Sequence, residues 1–291
     1  MIEKVTVFGG SGFIGSHVAD TLESKGFKVV IFDNKDSTWA NENQQVIVGD
    51  ILDIEAVDEA VKDSKYVYNF AAMSDLNVAI DKPLECAQIN IIGNMNILES
   101  CRKHKIERFI YASTIYVNSR QGGFYKCSKI ASEEFIEEYQ KTYGLDFTIL
   151  RYGSLYGPRS DLSNGMHRII HSALEKNILS YIGDIEAMRE YINVYDAALA
   201  SVMILDDKYI NETLTLTGQE PMKVLDVLQM IAEILGLSSD SIEFIEKRYP
   251  GHYTRTPYAY KPKISRKFIP QNHIDLGQGI VNLISFLKND R

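Results

Sequence analysis

Val5-Thr6-Val7-Phe8-Gly9-Gly10-Ser11-Gly12-Phe13-Ile14-Gly15 is followed by a helix-like run from Ser16. The apolar and β-branched residues predict a buried strand, the glycines a tight turn, and the pattern after them a helix start. Such a turn lets backbone N–H groups approach a pyrophosphate, and the positive end of the following helix favours its charge. Asp33 ends the next β-rich run, near the spacing of about 20 residues at which a carboxylate accepts from both hydroxyls of a ribose. Strand, turn, helix and acidic residue in this order predict a dinucleotide site built from Gly9, Gly12, Phe13, Ile14, Gly15 and Asp33. The bland alternative is that the glycines serve only a tight turn and close helix packing. A carboxylate at position 33 repels a 2′-phosphate, so NAD is the expected cofactor, although Lys35 nearby would suit NADP.

Outward from this turn, short β-rich runs at residues 5–8, 29–32, 46–48, 66–70, 109–112 and 147–150 alternate with longer helical patterns. Right-handed crossovers then place the strands in one parallel sheet, giving an α/β, Rossmann-like doubly wound domain. After Arg151 the alternation is interrupted by Gly153, Gly157-Pro158 and Asn164-Gly165. The expected division is therefore an NAD-binding domain over residues 1–152 and a smaller carboxy-terminal substrate-binding region over 153–291, with the chain free to cross back. Within that region, residues 247–267 interleave Arg248, Arg255 and several lysines with tyrosines, a basic and aromatic segment in an acidic protein.

The 291 residues carry 31 Lys and Arg against 39 Asp and Glu, a net charge of −8, which argues against wholesale nucleic-acid binding. Three cysteines, Cys86, Cys101 and Cys127, suit a reducing compartment better than a disulfide framework. The longest apolar run, residues 197–205, is far short of the roughly 20 needed to span a bilayer. The start of the chain shows no signal-peptide pattern, so a cytoplasmic protein is expected.

Tyr125 and Lys129, in Tyr125-Lys126-Cys127-Ser128-Lys129, are spaced to share one face at the start of a helix. An ammonium beside a phenol, reinforced by the charge of an oxidised nicotinamide, favours the phenolate and lowers the tyrosine pKa towards neutrality. The phenolate is then a usable general base that takes a proton from an alcohol while hydride leaves the same carbon. Alone the pair could be two surface helix residues; downstream of the NAD turn the chemical reading prevails. A non-catalytic NAD-binding sensor or scaffold would need the turn without this pair.

The register Gly9-x-x-Gly12-x-x-Gly15 resembles the extended short-chain dehydrogenase/reductase family, in its nucleotide-sugar modifying branch. The resemblance continues through Gly49-Asp50-Ile51, Asn69-Phe70-Ala71-Ala72 and Asn90-Ile91-Ile92-Gly93-Asn94. It implies that Asp50, Ile51, Ala71 and Ala72 border the cofactor, that Lys129 also contacts it, and that a hydroxyl before the catalytic helix orients the substrate alcohol. An ungapped match puts Thr114 there, with Ser113 the alternative. Leu150-Arg151-Tyr152-Gly153-Ser154-Leu155-Tyr156-Gly157-Pro158 resembles the segment leading into the family's substrate domain, with Ser154 where an Asn is usual. The stretch from Gly183 to Asp196 resembles one in which an Arg binds a nucleotide diphosphate, a role this implies for Arg189, with Arg248 and Arg255 as further substrate contacts. A nucleotide-diphosphate sugar is the implied substrate. A homodimer or higher homo-oligomer is implied too, through the apolar sides of the catalytic helix and of a helix over about 84–100.

Two other patterns carry less. His167 and His171 have the spacing of a zinc helix but no Glu follows His167, so no metal is expected. Glu133, Glu134, Glu137 and Glu138 are expected to form a solvated face of the catalytic helix. As to reaction, related dehydratases place Asp-Glu directly after the Thr, where this chain has Ile115-Tyr116, so 4,6-dehydration is disfavoured. Oxidation of a sugar hydroxyl, most often at C4, remains, ending in release of the ketone or in epimerisation. The connection from Thr114 to Tyr125 spans only 11 positions, shorter than in the family's epimerases. That favours a net 4-dehydrogenase similar to the GDP-heptose 4-dehydrogenases of surface polysaccharide synthesis, with a 4-epimerase as the alternative.

Overall fold

In the first strand, β1 (Lys4–Phe8), Val5 and Val7 enter one apolar cluster and Phe8 another. A period of two does this when both faces of a sheet are covered. The structure is a computed structural model describing residues 2–245, 252 and 255–257. After β1 come α1 (Phe13–Ser24), β2 (Lys28–Asp33), β3 (Gln45–Val48), α2 (Ile54–Val61) and β4 (Ser64–Asn69). They are followed by α3 (Leu76–Asp81), α4 (Pro83–Ala87), a π-helical segment (Gln88–Gly93), α5 (Asn94–His104), β5 (Arg108–Thr114), α6 (Gly123–Tyr143) and β6 (Phe147–Tyr152). The carboxy-terminal elements are β7 (Ser154–Tyr156), α7 (Gly165–Lys176), β8 (Leu179–Ile182), β9 (Met188–Arg189), β10 (Tyr191–Asn193), α8 (Val194–Met203), β11 (Glu212–Leu216), β12 (Met222–Lys223), α9 (Val224–Leu235) and β13 (Ile242–Ile245).

Seven strands form one parallel sheet in the order β3-β2-β1-β4-β5-β6-β11. This is the doubly wound α/β arrangement, and its strand order switches direction between β1 and β4. Ligands of such sheets bind at the carboxyl ends of the strands beside that switch. One face buries Phe8, Phe32, Phe109 and Ile149 under α2, α5 and α6; the other buries Val7, Ile31, Ile110 and Leu150 under α1 and α8. Each such side chain, fully buried, contributes about 1.5–3 kcal/mol relative to exposure.

Residues 194–216 of the carboxy-terminal region return to this sheet. Helix α8 packs on α1, and β11 pairs with β6 from Glu212 against Thr148 to Leu216 against Tyr152. Polar anchors fix the return. Tyr68 Oη donates to the Ser201 carbonyl at 2.9 Å, and buried Arg108 donates to the carbonyl oxygens of Ile204 and Asp206 at 2.8 and 3.2 Å. The remainder of the region has its own core, in which Ile169 and Ala173 of α7 meet Leu179 of β8 and Val224, Leu228 and Ala232 of α9.

The helix expected over about 84–100 is three consecutive pieces, α4, the π-helical segment and α5. The wider π turn lies where buried Asn90 and Asn94 reach partners on the loop after β4 and at the tip of β4, a place where an α-helical ladder gives way to side-chain demands. No helix among the described residues is long and apolar enough to cross a membrane.

Candidate active site

The turn after β1 is built so that only backbone fits. Gly9 has φ +74°, and a Cβ there would come within 2.5 Å of the Ala71 nitrogen. A Cβ on Gly15 would lie 2.2 Å from the Gly9 carbonyl oxygen. Gly12 is the N-cap of α1 and no side chain caps that helix end, so the first-turn N–H groups have no side-chain acceptor. Phe13 meets the His17 ring edge-on at 6.3 Å, and Ile14 packs onto the apolar cluster under α1. Asp33 is buried at the tip of β2, and its Oδ2 accepts from the Ser11 N–H at 3.0 Å. A glycine cradle, an uncapped helix start and a carboxylate at the second strand tip fit a dinucleotide such as NAD.

The other expected cofactor neighbours surround this turn. Asp50 follows Gly49, whose N–H donates to the Asp33 carbonyl at 2.8 Å, and Asp50 Oδ1 accepts from Leu52 N–H. Ile51 is buried against Gly93, where a Cβ would come within 2.5 Å of its Cδ1. Ala71 and Ala72, both half-buried, follow β4. The Ala71 N–H donates to Asn69 Oδ1 at 3.0 Å, and Asn69 Nδ2 donates to Asn94 Oδ1 at 2.8 Å.

At the carboxyl end of β5, Thr114 is buried, and its hydroxyl is near enough to the Tyr125 phenol to act on its ionisation. Its Oγ1 also accepts from the Tyr116 N–H at 3.3 Å. The short connection is closed by a 3₁₀ turn (Ile115–Asn118) and by Gly122 and Gly123, whose φ values of +99° and +51° only glycine adopts readily. Helix α6 begins there and carries Tyr125 and Lys129 inward. Lys129 is 2% exposed. Its Nζ donates to the Ala112 carbonyl at 2.7 Å and lies 5.8 Å from the Tyr125 ring centroid. Asn90 braces the helix from behind: its Nδ2 donates to Ser128 Oγ at 2.9 Å while its Oδ1 accepts from the Met73 N–H at 2.7 Å.

The titration of the pair differs from the sequence expectation. Burial pushes the Tyr125 phenol up rather than down, with the Thr114 hydroxyl acting in the opposite sense. Burial likewise lowers Lys129 to about 7. Desolvation disfavours whichever form is charged, so in the protein by itself it moves both groups towards neutrality.

Glu133 corrects a second expectation. It is buried, not part of a solvated face, while Glu134 and Glu138 are exposed. Arg151 grips it with two bonds of 3.1 and 2.7 Å, and the Ser113 hydroxyl donates to it in a short bond. Ser113 is thereby bonded to Glu133, while the Thr114 hydroxyl is the one that acts on Tyr125. Helical periodicity alone could not reveal that Arg151 waits on the neighbouring strand.

Arg189 is buried on β9, its Nη1 donating to the Met188 carbonyl at 2.9 Å and its Nη2 to Tyr181 Oη at 3.2 Å. Arg189 and Arg168 both lower the pKa of His252, after the larger effect of its desolvation. His252 Nδ1 lies 2.7 Å from Tyr116 Oη. That contact, across 136 residues, has no signal in the sequence, and it places a titratable imidazole on the residue two beyond Thr114. Arg255 is exposed, and Arg248 lies outside the described residues.

The chain matches the family described as the NAD dependent epimerase/dehydratase family over residues 5–214. A Methanocaldococcus jannaschii protein bearing the provisional name UDP-glucose 4-epimerase is 30% identical, with 98% of this chain and 99% of that protein covered. The UDP-glucuronic acid 4-epimerase of Bacillus cereus, solved with UDP-glucuronic acid and NAD, superposes with a TM-score of 0.80 at 27% identity, covering 90% of this chain and 95% of that one. The UDP-glucose 4-epimerase of Thermus thermophilus, solved with NAD, gives a TM-score of 0.76 at 28% identity, covering 89% and 90%.

Proposed function

The chain belongs to the NAD dependent epimerase/dehydratase family, and from that membership we propose that it is a 4-epimerase acting on a uridine diphosphate sugar. The observation that carries the reading is the grouping at the carboxyl end of β5, where Thr114, Tyr125 and Lys129 come together. Net 4-dehydrogenation of a GDP-heptose, favoured by the short connection alone, yields to the epimerase reading. All three proteins compared above carry 4-epimerase names, and two were solved as 4-epimerases with NAD.

Gly9, Gly12 and Gly15 would admit the pyrophosphate of NAD, Asp33 would accept from the ribose hydroxyls, and Lys129 would reach the nicotinamide ribose. When bound, NAD supplies a reversible hydride acceptor at the sugar carbon. Tyr125 Oη takes the proton of the C4 hydroxyl and later returns it, while the Thr114 hydroxyl orders that oxygen and the tyrosine's own. The Lys129 ammonium stabilises the phenolate, offsetting the effect of burial. Arg189 binds the diphosphate as a planar donor fork. Exposed apolar residues on α4 and α6, Leu84 at 73%, Phe135 at 38% and Tyr143 at 56%, offer a face for a second copy of the chain.

Incubation with UDP-glucose or UDP-glucuronic acid and analysis of the products tests this reading. A C4 epimer with no net reduction of NAD is expected. Stoichiometric NADH with a released 4-keto sugar would make the protein a dehydrogenase instead.

A further inference from the structure

Glu133 is a buried carboxylate on the helix that carries Tyr125 and Lys129, and the proton and hydride steps leave it unused. Positions 125, 129 and 133 follow one another at four-residue intervals, hence along one face of α6. The Ser113 hydroxyl and Arg151 Nε donate to Oε1, and Arg151 Nη2 donates to Oε2. The two donors are neighbours because Ser113 of β5 pairs in register with Arg151 of β6. Taking the Glu133 carboxylate out of water is costly even when it is paired, and an apolar side chain would fill the same space without that cost.

Lys129 supplies the reason. Its ammonium is buried, donates to a neutral carbonyl, and has no hydrogen-bonded carboxylate among the described residues. The titratable groups around it are Glu133 and Tyr125 on α6, Tyr111 on β5, whose ring centroid is 4.6 Å away, and the Cys86 thiol on α4. Arg151 of β6 stands behind the carboxylate as its bonded partner. Among these groups Glu133 has the largest influence favouring the charged lysine, ahead of Cys86.

We propose that Glu133 is a positioning residue for the Tyr125–Lys129 pair: its carboxylate is the counter-charge to the buried Lys129 ammonium on the same face of α6, and Ser113 and Arg151 fix where that charge stands. The inference rests on the general-base reading of Tyr125 given above. Arg151 and Ser113 hold the carboxylate in place, the carboxylate favours the protonated lysine, and the lysine favours the phenolate. Loss of the first charge weakens the last.

The test is a pH titration of ¹³Cε-lysine in the full chain by NMR, with the Lys129 resonance assigned by its loss in Lys129→Met. The wild-type resonance should titrate near the value of about 7 set by burial. In Glu133→Gln, which keeps the shape but only one acceptor oxygen, the midpoint should fall by about 1 pH unit or more, in the range expected for losing a nearby opposite charge. Glu133→Asp, which keeps the charge, should recover most of that fall. The alkaline limb of kcat should move with the resonance while KM for the sugar nucleotide holds. An unmoved Lys129 midpoint in folded Glu133→Gln overturns the proposal. Should that variant not fold, Glu133→Gln combined with Arg151→Met removes both charges together; a smaller fall in the midpoint is expected, and no fall overturns the proposal. The titration needs no turnover, so full activity in Tyr125→Phe would overturn the general-base reading without touching this result.

Discussion

The glycine turn and the pocket behind Tyr125 lie at the same edge of one sheet, yet they position their groups by different means. In the turn, Gly9 and Gly15 leave no room for a side chain, so the site is made of backbone N–H groups from a single contiguous stretch. In the pocket, β5, α6 and β6 each contribute side chains, and buried Ser113 and Glu133 form a bonded cluster with half-buried Arg151. Disturbing the turn should therefore act through sterics and cofactor affinity, with little dependence on pH. Disturbing the pocket should act through charge, and pH should show it.

The largest effect is expected at Tyr125. Tyr125→Phe keeps the ring and should retain NAD binding while turnover falls by roughly 10² to 10⁴, the usual contribution of a general acid–base group. Near wild-type turnover would remove this residue from the chemistry. Gly15→Ala comes next, because its Cβ would sit 2.2 Å from the Gly9 carbonyl oxygen and the backbone must shift. Overpacking of this kind costs about 1–3 kcal/mol, so thermal stability and NAD affinity should drop together at all pH values. An unchanged NAD dissociation constant would place the cofactor elsewhere. For Asp33→Ala, calorimetric titration with both cofactors should show NAD weakened about tenfold or more, as for a lost hydrogen bond to a charged group, with NADP much less affected. Equal losses for the two would show that this carboxylate does not touch the ribose.

The pH dependence of stability sharpens the other side of the comparison. Lys129 titrates at about 7 in the folded protein, below the ordinary 10.5 of an unfolded lysine. Between those values the unfolded state holds the extra proton, so folding stability should rise with pH, by at most about 1.4 kcal/mol per pH unit. Denaturation curves taken across that window should show the rise in wild type and a flatter profile in Lys129→Met. Identical slopes would mean that the lysine is not depressed.

Legibility followed the same divide. The turn could be read because residues 9–15 and Asp33 lie on adjacent segments whose order is itself the signal. Tyr125 and Lys129 were legible because a helix fixes the relation of residues four apart. Six of the seven strands of the sheet were also found, each observed one extending its expected run at one end or both, save β4, which starts two residues earlier and stops one short. Relations across elements were not legible. Glu133 looks like its neighbours Glu134 and Glu138 until β6 brings Arg151 against it. Thr114 and Ser113 could not be separated until Ser113 was seen bonded to Glu133. The return of β11 to the sheet and the contact of Tyr116 with His252 depend wholly on tertiary packing.

The central claim is that this pocket removes a hydride from C4 and gives the same hydride back. Turnover of a UDP-hexose carrying deuterium at C4, followed by mass spectrometry and NMR of the sugar nucleotide, tests it most directly. The account predicts a C4 epimer that still carries the deuterium at C4, with no reduced cofactor accumulating. Deuterium found in released NADH, beside a 4-keto sugar in solution, would contradict it.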